Sequence, residues 1–311
     1  MPITVVGSIA YDAVKTPFGE RERMLGGAAV HFALAASFFE EVLVVGPVGE
    51  DFGEPELEVM RRRGVDVSDI ERVAGGKTFF WRGEYGWDLN SRETLDTQLG
   101  VFEGFQPKLS DRSRASEVLF LANIVPDLQI EVREQLPDAR FVALDSMNLW
   151  IDIAKDQLVK AIESVDCLIL NDAELRQLTG KPNLVSAARE VLSWGPKVIV
   201  AKQGEYGAAL ITNESFFALP AYPLESVIDP TGAGDTFAGG FVGYIAAHPE
   251  EDLSDELLRR AMAHGTALAS FNVEEFGTER IERLTGEEIH ARVEELQQMT
   301  RFSGAPLKLR G

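Results

Sequence analysis

Short, almost continuous apolar runs alternate with helical stretches along most of the chain. "ITVVGSIA" is followed by the Ala-rich "AAVHFALAASFF", then by "VLVVGPVG" and "PELEVMRRRG". The runs "EVLFLANI", "RFVALDS", "DCLILN" and "KVIVAKQG" continue the series, separated by amphipathic helices such as 150–164 and 184–194. Strands that are apolar on both faces belong in a parallel sheet covered by helices on each side. The pattern therefore predicts an α/β chain with a mostly parallel central sheet between helical layers. After Lys202 the rhythm changes, because "AALITN" and "SFFALPA" are separated only by a polar turn, which predicts an antiparallel hairpin at the sheet edge. Helices over 233–248, 255–272 and 286–300 complete the fold. No repeat, low-complexity segment or Pro- or Ser-rich linker divides the chain, so residues 1–301 read as one domain and 302–311 as a tail.

One stretch breaks the alternation. Residues 71–105, "ERVAGGKTFFWRGEYGWDLNSRETLDTQLGVFEGF", are rich in aromatic and β-branched residues and glycines and lack a helical period. Together with residues 11–24 they predict a few strands standing off the main sheet, as a small β-rich lid that closes over a site and excludes water. A dimer interface or a surface hairpin would read the same way. An exposed lid strand invites pairing with a second copy, which is the basis for expecting a homodimer through the lid.

Composition narrows the partners. With 45% hydrophobic residues, 311 residues can bury a large core. The net charge of −20 repels phosphate backbones and anionic lipids, so neither nucleic acid nor a membrane is expected as a partner. No apolar run approaches the ~20 residues of a membrane span, and "MPITVVGSIAYD" lacks a basic segment ahead of an apolar one, so a cytoplasmic protein is expected. The single cysteine, Cys167, lies in a strand-like run and reads as a small core residue; it has no partner for an intrachain disulfide.

Chemistry concentrates in "VIDPTGAGDTFAGGF", residues 227–241. Beyond the carboxyl ends of strands in an open parallel sheet, a strand–loop–helix turn points backbone N–H groups outward. Gly232, Ala233 and Gly234 offer nothing to block an approaching anion, and their amides sit at the positive end of a helix beginning near Ala233. A carboxylate beside such a site is unfavourable unless it takes a proton from a hydroxyl that attacks the phosphorus, which gives Asp235 the part of a base. Read without that chemistry, the turn is a glycine-rich helix start with Asp235 as a first-turn residue favourable to the dipole. In "LILNDAELRQLTG", Asn171 ends a strand and Glu174 follows three residues later, a pair able to hold the water shell of magnesium and equally able to form a capping box.

"DPTGAGDTFAGGF" resembles the C-terminal signature of the ribokinase-like, PfkB-type carbohydrate kinases, and the resemblance spans residues 3–301. It implies a ribokinase-like three-layer fold and ATP as phosphoryl donor with Mg2+. It also implies Asp235 as catalytic base and Gly232, Ala233 and Gly234 as an anion hole. Asn171 and Glu174 match the family's N-x-x-E motif, whose implied role is ordering magnesium through water. "VIVAKQGEYGAAL" is similar to the strand lining the nucleotide site and points to Lys202 and Gly204; the loosely matching 261–277 segment makes Asn272 a further nucleotide candidate. "GSIAYD" and "GGAAVHFA" look like the substrate-side motifs, implying Asp12 on substrate hydroxyls with Gly26 and Gly27 as close backbone neighbours. Many members carry Asn where this chain has His31, which puts substrate identity in doubt; the family position makes His31 a substrate contact, able to donate to a hydroxyl, with a satisfied core histidine as the alternative.

Other patterns carry less. Gly76-Lys77-Thr78 resembles the end of a P-loop, yet no Gly stands at position 71 and strand residues follow; Phe237 stands where a dinucleotide fingerprint needs its third glycine. His248, His264 and His290 show no zinc-ligand spacing, and the run Arg61–Arg63 reads as a solvated helix end. No dense basic cluster marks a phosphorylated-sugar pocket. The expected substrate is a neutral, ribose-like sugar, with a nucleoside stacked on lid aromatics such as Phe79, Phe80, Trp81, Tyr85 and Trp87 as the alternative. A non-catalytic sugar- or nucleotide-binding regulator is the reading from another class, disfavoured because a pure binder needs no base. The sequence leaves open the preferred donor, a potassium ion near Asp229 and the oligomeric state.

Overall fold

A computed structural model describes residues 1–302 and 304, so that nearly all of the tail expected at 302–311 lies outside the described residues. Among the described residues thirteen strands are formed: β1 Ile3–Val6, β2 Ala10–Thr16, β3 Gly19–Gly26, β4 Val42–Gly49, β5 Ile70–Val73, β6 Phe79–Tyr85, β7 Arg92–Gln98, β8 Val118–Leu121, β9 Phe141–Asp145, β10 Cys167–Asn171, β11 Val198–Lys202, β12 Ala208–Ile211 and β13 Phe216–Leu219. Nine of them make the central sheet, in the order β13-β12-β11-β10-β9-β8-β1-β4-β5. All pairings from β11 to β5 are parallel; β12 and β13 add the expected antiparallel edge hairpin.

The apolar runs are continuous because this sheet is covered on both sides. Ile3, Val5, Val44, Phe120 and Ile169 pack into one core with the helices Ala28–Ala36, Ala233–Ala246 and Asp255–Asn272. Their neighbours Val6, Val45, Leu121 and Leu168 pack into a second core on the other face, so successive side chains alternate between two interiors. Helix Ala233–Ala246 lies tightly against Ala28–Ala36: a methyl group at Gly239 would come within 2.4 Å of the Phe32 carbonyl oxygen. Small residues thus set the depth of the helix that begins at the "GAGD" turn.

β3, β2, β6 and β7 form a separate four-stranded sheet, antiparallel except where β2 runs parallel to β6. It draws on both segments predicted to stand off the main sheet. Two boundaries differ. β5, inside the expected lid, adds instead to the edge of the main sheet beside β4, and residues 100–104 form a turn of 3-10 helix. The helix expected over 150–164 is two, Asn148–Ile153 and Lys155–Glu163, broken at Ala154, whose backbone leaves the helical region. The Trp150 indole donates to Asn123 Oδ1 at 2.9 Å and ties the first piece to the loop after β8.

Candidate active site

Parallel strands end on the same side of a sheet, and here those ends bring Asp145 (β9), Asn171 (β10) and Lys202 (β11) together. Lys202 Nζ bonds Asp145 Oδ2 at 2.9 Å, with both side chains largely buried. Burial opposes the ammonium charge, but Asp145, Glu174 and Asp235 outweigh it and hold the Lys202 amine above its ordinary value. The turn before helix Ala233–Ala246 faces this pair: a methyl group built on Gly234 would lie 3.0 Å from Lys202 Nζ.

Gly232 caps that helix with φ 73, a left-handed conformation that L side chains resist. The turn therefore leaves the Gly232 and Gly234 amides at the helix's positive end without a backbone partner among the described residues, while the Ala233 amide donates to the Pro230 carbonyl at 3.2 Å. Asp235 follows in the first turn. Its carboxyl is pushed up to about 7, by burial first and by the charge of Asp145 second, against the pull of Lys202. Across the site, burial pushes Asp12 up to about 7, with Asp229 and Asp235 adding to it and the Gly27 amide opposing. A methyl group on Gly26 would meet Asp12 Oδ2 at 2.0 Å, so any larger residue there would push the Asp12 carboxylate out of its place. Gly27 begins helix Ala28–Ala36 with Ser8 Oγ accepting from the Ala28 amide at 3.0 Å.

The small sheet faces this cluster with the side that carries Asp12. Met24 and Trp81 are register partners of Asp12, so their side chains share that face. Tyr85, Val14 and Phe276 form a small apolar core with Met24 and Trp81 packed on it. Thr231, just before the anion turn, donates to the Tyr85 hydroxyl at 3.2 Å, tying the sheet to the turn. Arg92, paired with Tyr85 on β7, lies 5.3 Å over the Trp81 ring and makes no ion pair among the described residues. Its charge favours the ionised forms of Asp12 and Asp235.

Asn171 and Glu174 do form the capping box: Asn171 Oδ1 accepts from the Glu174 amide at 2.7 Å and Glu174 Oε2 from the Asn171 amide at 2.9 Å. Burial, aided by Asp145 and opposed by Lys202, raises the Glu174 carboxyl. No group of three or more His, Cys, Asp or Glu among the described residues is placed to hold a metal directly. Glu174 still has Oε1 outside the box, and Asp145 stands close enough for their charges to interact, a donor set that suits a hydrated magnesium ion and not a dehydrated one. Asp229 is buried, and its oxygens accept from the amides of Thr231 at 2.9 Å and Gly277 at 3.0 Å. In the Gly76-Lys77-Thr78 stretch, Thr78 N and Oγ1 both donate to Asp51 Oδ1, so its amide and hydroxyl are engaged by a carboxylate.

One expectation changes. Asn272 does not reach a nucleotide surface: it is fully buried, and its carboxamide bonds Thr231, Thr236 and His31. His31 is 2% exposed, and burial pushes it down to about 4, so the ring is neutral. Gly204 lies in the turn after β11, with φ 58, and the side-chain amide of Asn90, in the turn between β6 and β7, donates across to Glu205 Oε1 at 3.0 Å. Asp145 and Arg92 were not singled out from the sequence. Asp145 had a signal, since "RFVALDS" ends an apolar strand in a carboxylate; Arg92, on an exposed strand, had none.

A family model for "pfkB family carbohydrate kinase" matches residues 3–283. The chain belongs to this family. Among PfkB-family relatives, the cytidine kinase of Thermococcus kodakarensis is 29% identical over 268 residues, covering 84% of this chain and 95% of the relative. The ribokinase of Lactococcus lactis is 26% identical over 255 residues, covering 77% of this chain and 82% of that one. The structure of Burkholderia thailandensis nucleoside kinase in complex with ADP-inosine superposes with a TM-score of 0.78 at 20% identity, covering 99% of each chain. The chain is accordingly an ATP-dependent sugar or nucleoside kinase with a ribokinase fold. Among the described residues no helix is long and apolar enough to cross a membrane.

Proposed function

We propose that the chain transfers the terminal phosphoryl group of ATP to a sugar hydroxyl of a nucleoside. The acceptor oxygen forms its bond to the terminal phosphorus as the bond from phosphorus to the bridging oxygen of the leaving diphosphate breaks, and the hydroxyl proton passes to Asp235. The Gly232 and Gly234 amides and Lys202 face the charge that spreads over the phosphoryl oxygens, preorganised donors of a kind worth about 2.7–4 kcal/mol of barrier each, and the Ala233 amide could join them only by leaving the Pro230 carbonyl. Magnesium, held through water by Glu174 with Asp145 beside it, would supply further neutralisation of phosphate charge. Asp12, on the site-facing side of the small sheet beside Gly26, accepts hydrogen bonds from the sugar hydroxyls. The observation that carries this reading is the half-buried placement of Asp235 beside the 232–234 turn and near Lys202 and Asp145, where its carboxyl is pushed up to about 7, a value suited to a base at neutral pH.

A nucleoside is favoured over the free sugar expected from the sequence because of what stands opposite the sugar site. Met24 and Trp81, half-buried on the core of Tyr85, Val14 and Phe276, present an apolar wall. A free ribose leaves such a wall without a partner, whereas a base stacks on it. The cytidine kinase named above points the same way. Initial rates with ATP and, in turn, cytidine, other nucleosides and ribose test the choice. Base stacking of about 1–3 kcal/mol gives nucleosides a kcat/KM about 5- to 150-fold above ribose; ribose turned over as well as or better than every nucleoside would reject the reading.

A further inference from the structure

Asn272 ends helix Asp255–Asn272, and every polar atom of its side chain is engaged inside the protein. Nδ2 donates to the Thr231 carbonyl at 2.7 Å, while Oδ1 accepts from Thr236 Oγ1 at 3.0 Å and faces His31 Nδ1 at 3.2 Å. A backbone carbonyl can only accept, so the amide group must face Thr231 and the carboxamide oxygen must face Thr236 and His31. His31 must then carry its proton on Nδ1. Its Nε2, buried and without a partner among the described residues, is left as an acceptor and not the donor expected from the sequence.

These contacts surround the anion turn. Thr231 precedes Gly232, and Thr236 follows Asp235. The His31 ring lies against Gly232 itself, where a methyl group would come within 2.4 Å of Nδ1 and Cε1. One carboxamide thus holds the turn before it, after it and, through the ring, against its first glycine.

We propose that Asn272 is a positioning residue for phosphoryl transfer: by fixing Thr231, Thr236 and the His31 ring together it keeps Gly232 in its left-handed conformation and aims the 232–234 amides and the Asp235 carboxyl. This rests on the phosphoryl-transfer reading above. It differs from a nucleotide contact in which kinetic constant it governs, since misaimed donors lower turnover and leave ground-state nucleotide binding intact.

The test combines Asn272→Ala, Thr236→Val and Thr236→Ser with steady-state kinetics, titration of a nonhydrolysable nucleotide, and long-range proton–nitrogen NMR of His31. Asn272→Ala and Thr236→Val should each lower kcat about 10²-fold, the scale of a misplacement of about 1 Å. Nucleotide Kd should stay within about twofold, and Thr236→Ser, which keeps the hydroxyl, should recover most of the parent's kcat. In the parent, His31 should show its proton on Nδ1. Unchanged kcat in Thr236→Val, a raised nucleotide KM with normal kcat in Asn272→Ala, or a parent His31 protonated on Nε2 would each overturn the proposal. Should Asn272→Ala fail to fold, the Thr236 pair and the parent's tautomer still decide it. A parent that phosphorylates no sugar or nucleoside would instead defeat the phosphoryl-transfer reading, while the tautomer would still report on the tie.

Discussion

Asp235→Asn isolates the base. The replacement keeps the volume of the side chain and removes only its capacity to take a proton. With its carboxyl near 7, Asp235 is about half ionised at neutral pH, and a positioned base contributes about 10²–10⁴-fold to rate. Turnover should therefore fall by that factor, about 2.7–5.4 kcal/mol of barrier, with nucleotide affinity nearly unchanged. The parent's kcat/KM should rise with pH up to about 7 as Asp235 and Asp12 release their protons, and the share due to Asp235 should vanish in the variant, leaving the shallower limb of Asp12.

Stability supplies a second readout, with its own sign. In the folded chain Asp235 keeps its proton to about pH 7, whereas unfolded it releases it near 3.8. Between those values the folded state binds more protons, so this group's contribution falls as pH rises and the whole penalty, at most about 4 kcal/mol, is present above 7. Asparagine escapes that penalty, so the variant should melt above the parent at pH 8, with the gap closing toward pH 4. Turnover within tenfold of the parent would refute the base assignment. A melting gap absent at pH 8 would refute the argument that burial raises the carboxyl.

Lys202→Met strands Asp145 as a buried, unpaired carboxylate and should cost about 3–5 kcal/mol in denaturant unfolding; because Lys202 also lowers the Asp235 carboxyl, the acid limb of kcat/KM should move to higher pH, and an unmoved limb would contradict that coupling. Glu174→Gln should raise the magnesium concentration for half-maximal turnover about 10- to 100-fold, in line with losses at residues that act on a metal through its outer shell; an unchanged magnesium curve would remove Glu174 from the ion's surroundings.

The chain's linear pattern was enough to determine the layered α/β class, the edge hairpin and the helices after the "GAGD" turn. Each depends on periodicity or on glycine and polar punctuation, which are local properties. Asp235 and the 232–234 turn were legible for the same reason, since small residues, a helix start and one acid are adjacent in sequence. The destination of "IERV" was not legible, because a four-residue half-polar strand pairs wherever an edge is free, and β4 offered one. The break at Ala154 carries no Gly or Pro to announce it. Asp145 joined Lys202, Arg92 came over Trp81, and Asn272 turned inward to His31 through contacts between residues 57, 11 and 241 positions apart, respectively. Two of these three span distant parts of the chain, and all three are set by how strands and helices stack, which no local pattern records; tertiary structure alone decided which carboxylates share a charge and which polar atoms hold the anion turn in place.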